Sequence, residues 1–457
     1  MLVAEPVRAL PGPRSFFGLK NIRDMGQKGM LEFIEENWRK HGDIFEVVVG
    51  PQKLVIVIHP DHVRHVTLTN ASNYEKLKSY EPVRKYIIGD GIVTSTGDLW
   101  KRQRRLMAPF FTPKAVQEYG DIFLSDTMAM TERWEQLAAA GTQVEMFDEM
   151  ALITASIVLK AIFSTESTED ILEIKECVET MIGFAGSKGM NPLQVPDWIP
   201  TPENVNFRWA RDRVTRYIDD VVDSRLEMDE ADYPNDMLSK LITAQDPETG
   251  ERMSRDLLRD ESLTLFFAGY ETSARSMSYA WYALAINPDV KARLHEELDR
   301  ELGDGLPTLE TLKKLPYTLR VIKETLRLYP PAPMYAKDVV DDDVIDGHCV
   351  DKGSVVLLFP YFTHRHPDFW EEPLRFEPNR HAPEAEKERH PQAYHPFASG
   401  QRVCLGNHFS LLETHIMLAL LARRFDPQLP PGYEAEFVGN ALLEISNGLP
   451  MILDKRQ

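Results

Sequence analysis

Residues 254–286 read as one apolar helix, longer than globular helices normally run. A chain built around such an element must wrap other helices on it. The middle of the run, "LFFAGYETSARS", breaks the pattern with a glycine, an acid and an alcohol. Ala268, Glu271 and Thr272 stand at i, i+3 and i+4, so they form one stripe on one face. A mid-helix glycine costs about 1 kcal/mol against alanine, and a buried glutamate without a partner costs more. A plain reading has Glu271 facing solvent and Thr272 bonding back to the carbonyl of Ala268, a contact that bends helices. A bend of that kind is also what a pocket beside the helix requires.

The helical period dominates elsewhere, at 30–42, 98–106, 116–140, 146–163, 207–228, 236–244 and 287–303. Asn287 is the expected cap of the last of these. "DIFEVVVGPQKLVIVIHP" reads as a β-hairpin around "GPQ", and short strand-like pieces recur at 339–345 and 354–359. The prolines of 192–202 mark a loop, and the acidic run "DVVDDDVID" at 338–346 is expected to be a solvated turn. The expectation is a mainly α single domain over 1–457 with small sheets.

The chain has 457 residues, a formal net charge of −19 and three cysteines. Its acidity argues against a nucleic-acid partner. An odd, widely spaced cysteine count fits a reducing compartment and cannot supply the four thiolates of an iron–sulfur cluster. The opening "MLVAEPVRALPGPRSFFGLK" holds no bilayer-length apolar run and no secretory pattern, so a cytoplasmic protein without a membrane anchor is expected.

Cys404 lies in "HPFASGQRVCLGNHF", with Phe397, Gly400, Arg402 and Gly406 spaced F-x-x-G-x-R-x-C-x-G. A helical pattern follows directly, and a helix N-terminus favours a thiolate. Gly400 and Gly406 allow tight turning and close approach to something flat. Phe397 can shield the sulfur from water, and Arg402 can pair an anion beside it. A buried free thiol is the common alternative. A zinc site from His390, His395, Cys404 and His408 is another, although the spacings match no compact zinc pattern.

Two further pairs accompany this loop. Glu324 and Arg327 share a helix face at i, i+3, and Trp100 and Arg104 do so at i, i+4. Periodicity alone leaves each pair open to being an exposed surface feature.

Together these motifs resemble those of the haem-thiolate monooxygenases, the cytochromes P-450. The resemblance covers nearly the whole chain. It implies an α-rich triangular prism with small β-sheets, holding heme b between the Thr272 helix and the Cys404 loop. It makes Cys404 the iron ligand, with Arg402, Trp100 and Arg104 at the haem propionates. Lys337 stands where many relatives carry a propionate-binding arginine, and His364 is a further candidate donor. Ala268 then leaves room over the iron, Glu271 brings protons, and Thr272 hands them to the activated oxygen. Glu324 and Arg327 become a buried pair joined by Arg380 of "FEPNRH", where Asn379 and His381 depart from the family pattern.

The implied reaction inserts one oxygen atom of O2 into a hydrophobic small molecule. By family position, segments 80–92, 183–193, 332–335 and 441–442 line the pocket, with Phe267, Ala268, Pro333, Met334 and Leu442 against substrate. A fatty-acid or terpenoid-like lipid is favoured over a polyketide. Nothing in the chain reads as a flavin or iron–sulfur segment, so electrons are expected from a separate ferredoxin or flavodoxin with its reductase. Lys101, Arg102, Arg105, Arg423 and Arg424 are the expected basic docking face of a monomeric enzyme. A haem sensor or carrier, a peroxygenase and an isomerase are the alternatives; the complete acid–alcohol pair argues against them.

Overall fold

The computed structural model describes residues 7–165, 167–190, 195–303 and 305–456. Residues 1–6 of the leader and 191–194, which include parts of the expected loop and pocket segment, lie outside them. The chain forms two compact units, each assembled from separated stretches of sequence.

The first unit comprises Met1–Ser79, Lys323–Cys404 and Glu434–Gly448. Its centre is a five-stranded sheet. The expected hairpin forms there, Ile44–Val49 against Gln52–Val57, with Ile44 opposite Val57 and a turn at Gly50 (φ 58°). Gln52–Val57 then pairs in parallel with Val355–Leu358, which pairs antiparallel with Tyr335–Val339, and Tyr74–Glu75 closes the edge. Val55, Val57, Val356 and Leu358 are fully buried on one side, while Phe45, Ile56, Phe359 and Phe362 pack on the other. This alternation is what a two-faced covered sheet demands.

The acidic run is a solvated turn only in part: Asp341, Asp342 and Asp346 are exposed, while Asp338 and Asp343 are not. Asp338 lies in a strand and is buried, accepting from the Leu77 amide at 2.9 Å and from the Ser79 hydroxyl at 2.5 Å. Asp343 begins the next strand and collects the Tyr74 hydroxyl (2.5 Å), His65 Nε2 (2.8 Å) and Asn70 Nδ2 (3.0 Å). Those donors hold its carboxyl below the usual range in spite of burial. Asp338 and Asp343 are stitches that hold segment 65–79 to the strands they stand in.

A second set of contacts fixes the first unit more deeply. Glu324 and Arg327 are fully buried. Arg327 donates from Nε and Nη2 to the Glu324 carboxylate, both at 2.8 Å. Its remaining N–H groups reach the carbonyls of His364 (2.8 Å), Pro373 (2.7 Å) and Arg375 (2.9 Å). The Trp370 ring covers the guanidinium at 4.8 Å. Glu324 also accepts from the Glu377 amide at 2.8 Å and meets Arg380 Nε at 3.6 Å. Closer than Arg380 is His381, fully buried, with Nε2 at 3.1 Å from Glu324. The histidine that departs from the family pattern is therefore a working member of the cluster. Burial alone would push the Glu324 carboxyl up; the His381 and Arg327 bonds hold it below its ordinary value.

The second unit comprises Tyr80–Ile322, Leu405–Tyr433 and Leu449–Gln457. Its axis is the long helix, Arg255–Ile286, capped by the Ser254 hydroxyl on the Leu257 amide at 3.3 Å. Met146–Phe163 packs along it, as do parts of Pro202–Glu227 and Asn407–Arg424. Pro202–Glu227 starts five residues before its apolar pattern, because Thr201 caps it and Pro202 suits the first turn. Gly120–Ala139 is shorter than its periodicity, since Gln117–Tyr119 tightens into a 3₁₀ turn ahead of it. Asn287 stands at the N-cap position of Pro288–Glu301 as expected, but its side chain turns back to the Ala283 carbonyl at 2.8 Å and makes no cap bond. A three-stranded sheet of Gln143–Glu145, Pro450–Lys455 and Phe425–Gln428 closes this unit. No helix among the described residues is long and apolar enough to cross a membrane.

Removing one partner from a buried charge pair costs about 3–5 kcal/mol. Glu324→Gln is expected to lower the denaturation free energy by an amount of that order, read as a shift of the urea midpoint at unchanged slope. His381→Ala should lose less, because Arg327 keeps its two bonds to Glu324.

Candidate active site

The long helix is buried along most of its length, yet Ala268 is exposed and Phe267, Gly269 and Thr272 are half-buried. The open patch is the small-residue turn that the sequence singles out. Thr272 Oγ1 donates to the Ala268 carbonyl at 2.8 Å, so the back-bond expected of a mid-helix threonine is present. Glu271 does not face solvent. It is 5% exposed and takes Arg275 Nη2 at 2.6 Å, one turn further on. Arg275 in turn lies 4.8 Å over the Phe147 ring. The costly acid is thus stabilised by a cation that the sequence reading did not single out, although the i, i+4 spacing would have found it.

Behind the stripe lies another acid. Glu413, on the helix that follows the cysteine loop, is fully buried and accepts from Ser273 Oγ at 2.7 Å. Its Oε1 has no hydrogen-bond partner among the described residues. Burial pushes its carboxyl up to about 8, against a smaller opposing effect of Ser273. At neutral pH it is a neutral acid next to the residue after Thr272.

The cysteine loop belongs to the first unit. Cys404 is exposed, and its amide donates to the Phe397 carbonyl at 2.8 Å, closing the loop on itself. Gly400 has φ 73°, and a Cβ there would stand 2.0 Å from the Thr67 carbonyl oxygen. Only glycine fits. Gly406 is different: its φ is ordinary and a Cβ would meet no protein atom within 4 Å. Packing within the protein does not require that glycine.

Around Cys404 the charge is positive. Arg402 meets Glu75 at 3.4 Å. Lys337 is 6% exposed, with Nζ at 3.4 Å from the Tyr74 carbonyl. Burial, then Arg402, pulls its ammonium down to about 8. Lys76, unnoticed in the sequence, is drawn down to about 7 by burial and by the neighbouring charges of Arg402 and Lys337. Cationic side chains that depress one another in this way form a site that gains from a bound anion. The two carboxylates of heme b suit it, and the exposed sulfur of Cys404 is the ligand type haem iron takes in this setting. The residues fit the group.

Trp100 and Arg104 stand half-buried on one face of helix Gly97–Met107. His364 does not fit the role of propionate donor. It is fully buried, its Nδ1 lies 3.2 Å from the Arg327 carbonyl, and its Nε2 accepts from the His395 amide at 2.9 Å. Both ring nitrogens are committed to the backbone. Met334 packs against the sheet core of Phe359 and Phe362, and Pro333 is buried with its carbonyl taking the Tyr361 amide at 3.2 Å. Leu442 is half-buried in the turn between Phe437–Gly439 and Leu443–Ile445. No group of three or more metal-ligating side chains gathers among the described residues, which leaves the zinc reading without a site.

The expected basic docking face is charge-compensated. Arg105 meets Asp246 at 2.9 Å and Glu248 at 3.0 Å, and Arg102 meets Glu251 at 2.9 Å. Lys101 pairs with Asp98 at 3.2 Å and Arg424 with Glu135 at 2.9 Å, while Arg423 caps the Gly305 carbonyl. Arg102 and Arg105 hold loop 246–251 to their helix, and Lys101 and Arg424 each face an acid.

The Cytochrome P450 family pattern matches residues 10–445. The chain belongs to the cytochrome P450 family. It is 33% identical to cyclooctatin synthase of Streptomyces melanosporofaciens over 86% of this chain and 84% of that protein. It is 31% identical to cyclooctat-9-en-7-ol 5-monooxygenase of the same organism over the same shares. The crystal structure of the cytochrome P450DA heme domain superposes with a TM-score of 0.89 at 25% identity, covering 99% of this chain and 98% of that one. This P450 is a haem-thiolate monooxygenase that binds heme b, uses O2 and an electron-donating partner, and acts on a hydrophobic molecule. When bound, the haem supplies oxygen activation and the electron push of its thiolate ligand. The first unit carries the lysines and arginine beside Cys404, and the second carries the open turn at Ala268–Thr272 and the buried acids.

Two outcomes are expected. Haem binding should weaken as pH rises from about 7 to 9, because Lys76 and Lys337 must then take up protons to meet the propionates. Lys76→Arg, which stays charged, should flatten that slope in titrations of the haem-free protein. Separately, folded Glu413 keeps its proton to about pH 8 whereas the unfolded group releases it near 4.5. Its linkage therefore lowers stability as pH rises through that window. Glu413→Gln should show a smaller fall in denaturation midpoint between pH 5 and 8.

Proposed function

We propose that this P450 oxygenates a terpenoid-like lipid, with a fatty acid as the next candidate, using Thr272 and Glu271 to deliver protons and Cys404 as the iron ligand. Arg402, Lys337, Lys76, Trp100 and Arg104 hold the haem propionates in this reading. Electrons come from a separate ferredoxin or flavodoxin with its reductase, and the enzyme works as a cytoplasmic monomer whose two units act as one catalytic domain.

The reading rests on one arrangement: an open Ala268–Thr272 turn in an otherwise buried helix, backed by the buried Glu271–Arg275 pair. A haem protein that only senses or carries gains nothing from a costly buried acid beside a half-buried alcohol. The stripe is small and apolar at Ala268, with the half-buried Phe267 ring beside it, which suits a hydrocarbon skeleton better than a charged one. A relative named as a monooxygenase of cyclooctat-9-en-7-ol, a cyclic alkenol, supports the terpenoid class.

A spin-shift titration over cyclic terpenols, fatty acids and macrolactones, followed by turnover with a ferredoxin and its reductase, tests this. Low-micromolar binding and hydroxylation confined to the terpenols is the expected result. Binding only to macrolactones would replace the substrate class. In Thr272→Ala, most of the electron flow should appear as hydrogen peroxide, with product falling about tenfold or more. Unchanged coupling would remove Thr272 from proton delivery.

A further inference from the structure

Glu261 is a buried acid that the oxygen chemistry does not use. It is fully buried on the long helix, two turns before Ala268 on the same face. Its Oε2 accepts from the Ile92 amide at 3.0 Å, while Oε1 has no hydrogen-bond partner among the described residues. Burial, reinforced by neighbouring Asp260, raises its carboxyl to about 8, so it holds a proton at neutral pH.

What Glu261 grips is segment 89–96, which leads into helix Gly97–Met107. Asp260 Oδ2 accepts from the Asp90 amide at 2.9 Å. Gln103, fully buried, donates to the Asp90 carbonyl at 2.7 Å, bonds the Ser95 hydroxyl, and reaches Glu261. Thr94 Oγ1 folds back on the Gly89 carbonyl at 2.7 Å. The seat is tight. A Cβ on Gly91 would stand 1.8 Å from Thr264 Oγ1, and one on Gly89 2.3 Å from Asp260 Oδ2.

The register of the seat gives it meaning. Asp260, Thr264, Ala268 and Thr272 follow one another at i+4 and make a single ridge along the helix. Segment 89–91 covers the first two positions of that ridge. Ala268, the third, is exposed. The loop therefore ends the open stripe about one turn, roughly 5.4 Å, short of Ala268.

We infer that Glu261 is a positioning residue that, through Ile92 and Gln103, seats segment 89–96 on the Asp260–Thr264 part of the ridge and thereby sets how far along the long helix the substrate cavity extends. Released from this clamp, the loop uncovers Thr264 and then Asp260, and the cavity accepts longer ligands. The inference deepens the proposed function and rests on the Ala268 turn being the floor of the substrate pocket.

The test compares wild type, Glu261→Ala and Glu261→Gln as haem-loaded enzymes, with two probes read by the haem absorbance. Imidazole needs only the iron; clotrimazole fills the surrounding pocket. In Glu261→Ala, imidazole affinity is expected to stay within about twofold, clotrimazole affinity to change by about tenfold or more, and the Asp90 and Ile92 amides to exchange hydrogen faster. Glu261→Gln keeps an acceptor for Ile92 and should restore all three readings. If Glu261→Ala loads haem poorly, Gly91→Ala displaces the loop from the opposite side and should give the same pattern. Faster exchange with both ligands unchanged would reduce the clamp to a structural brace and overturn the proposal. So would unchanged exchange with both ligands shifted equally. Failure of wild type to bind either azole would count against the haem-pocket reading instead, while the exchange arm would still decide whether Glu261 holds the loop.

Discussion

The saturated guanidinium of Arg327 is the contact on which the rest of the first unit depends. Its donors are divided between one carboxylate and three backbone carbonyls spaced along the irregular segment 364–377. A buried charge of this kind is tolerated only when every polar atom around it is satisfied. That requirement fixes the paths of residues 364–381 in one stroke. His364, whose carbonyl Arg327 takes, passes the constraint on to the His395 amide at the start of the cysteine loop. The position of Cys404 is thus tied to a charge network through backbone atoms.

Electrostatics divides the two units. In the first, acids are held ionised by donors, as Glu324 and Asp343 are, and lysines beside Cys404 are pulled toward neutrality. In the second, Glu261 and Glu413 are pushed toward the neutral acid by burial, while Glu271 is matched by Arg275. One unit gathers Lys76, Lys337 and Arg402 beside Cys404; the other lines its central helix with carboxyl groups able to hold or give up protons near neutral pH.

The motifs were legible because their spacing is local. Ala268, Glu271 and Thr272 declare a stripe from sequence alone, and the helix Met146–Phe163 has the bounds its periodicity predicts. What stayed illegible depends on distant partners. His381 looks like a departure from a pattern until it is seen 3.1 Å from Glu324. Lys76 carries no signal of its own; only the fold brings it beside Arg402 and Lys337. The run at 338–346 misleads for the converse reason. Charge density suggests solvent, but each of the two key acids faces several donors from residues 65–79, far away in sequence. The basic residues near Trp100 mislead similarly, because the acids that neutralise them lie at 246–251.

Gly400 rests its Cα against the carbonyl oxygen of Thr67, a backbone-to-backbone contact with no side chain between. A loop gauged in this way keeps its height when surrounding side chains drift, since none of them sets the distance. Catalytic repertoires in such a scaffold are therefore free to diversify at the pocket walls without disturbing the metal ligand. A mutagenesis library that spares positions 67 and 400 would sample substrate scope over a constant sulfur position.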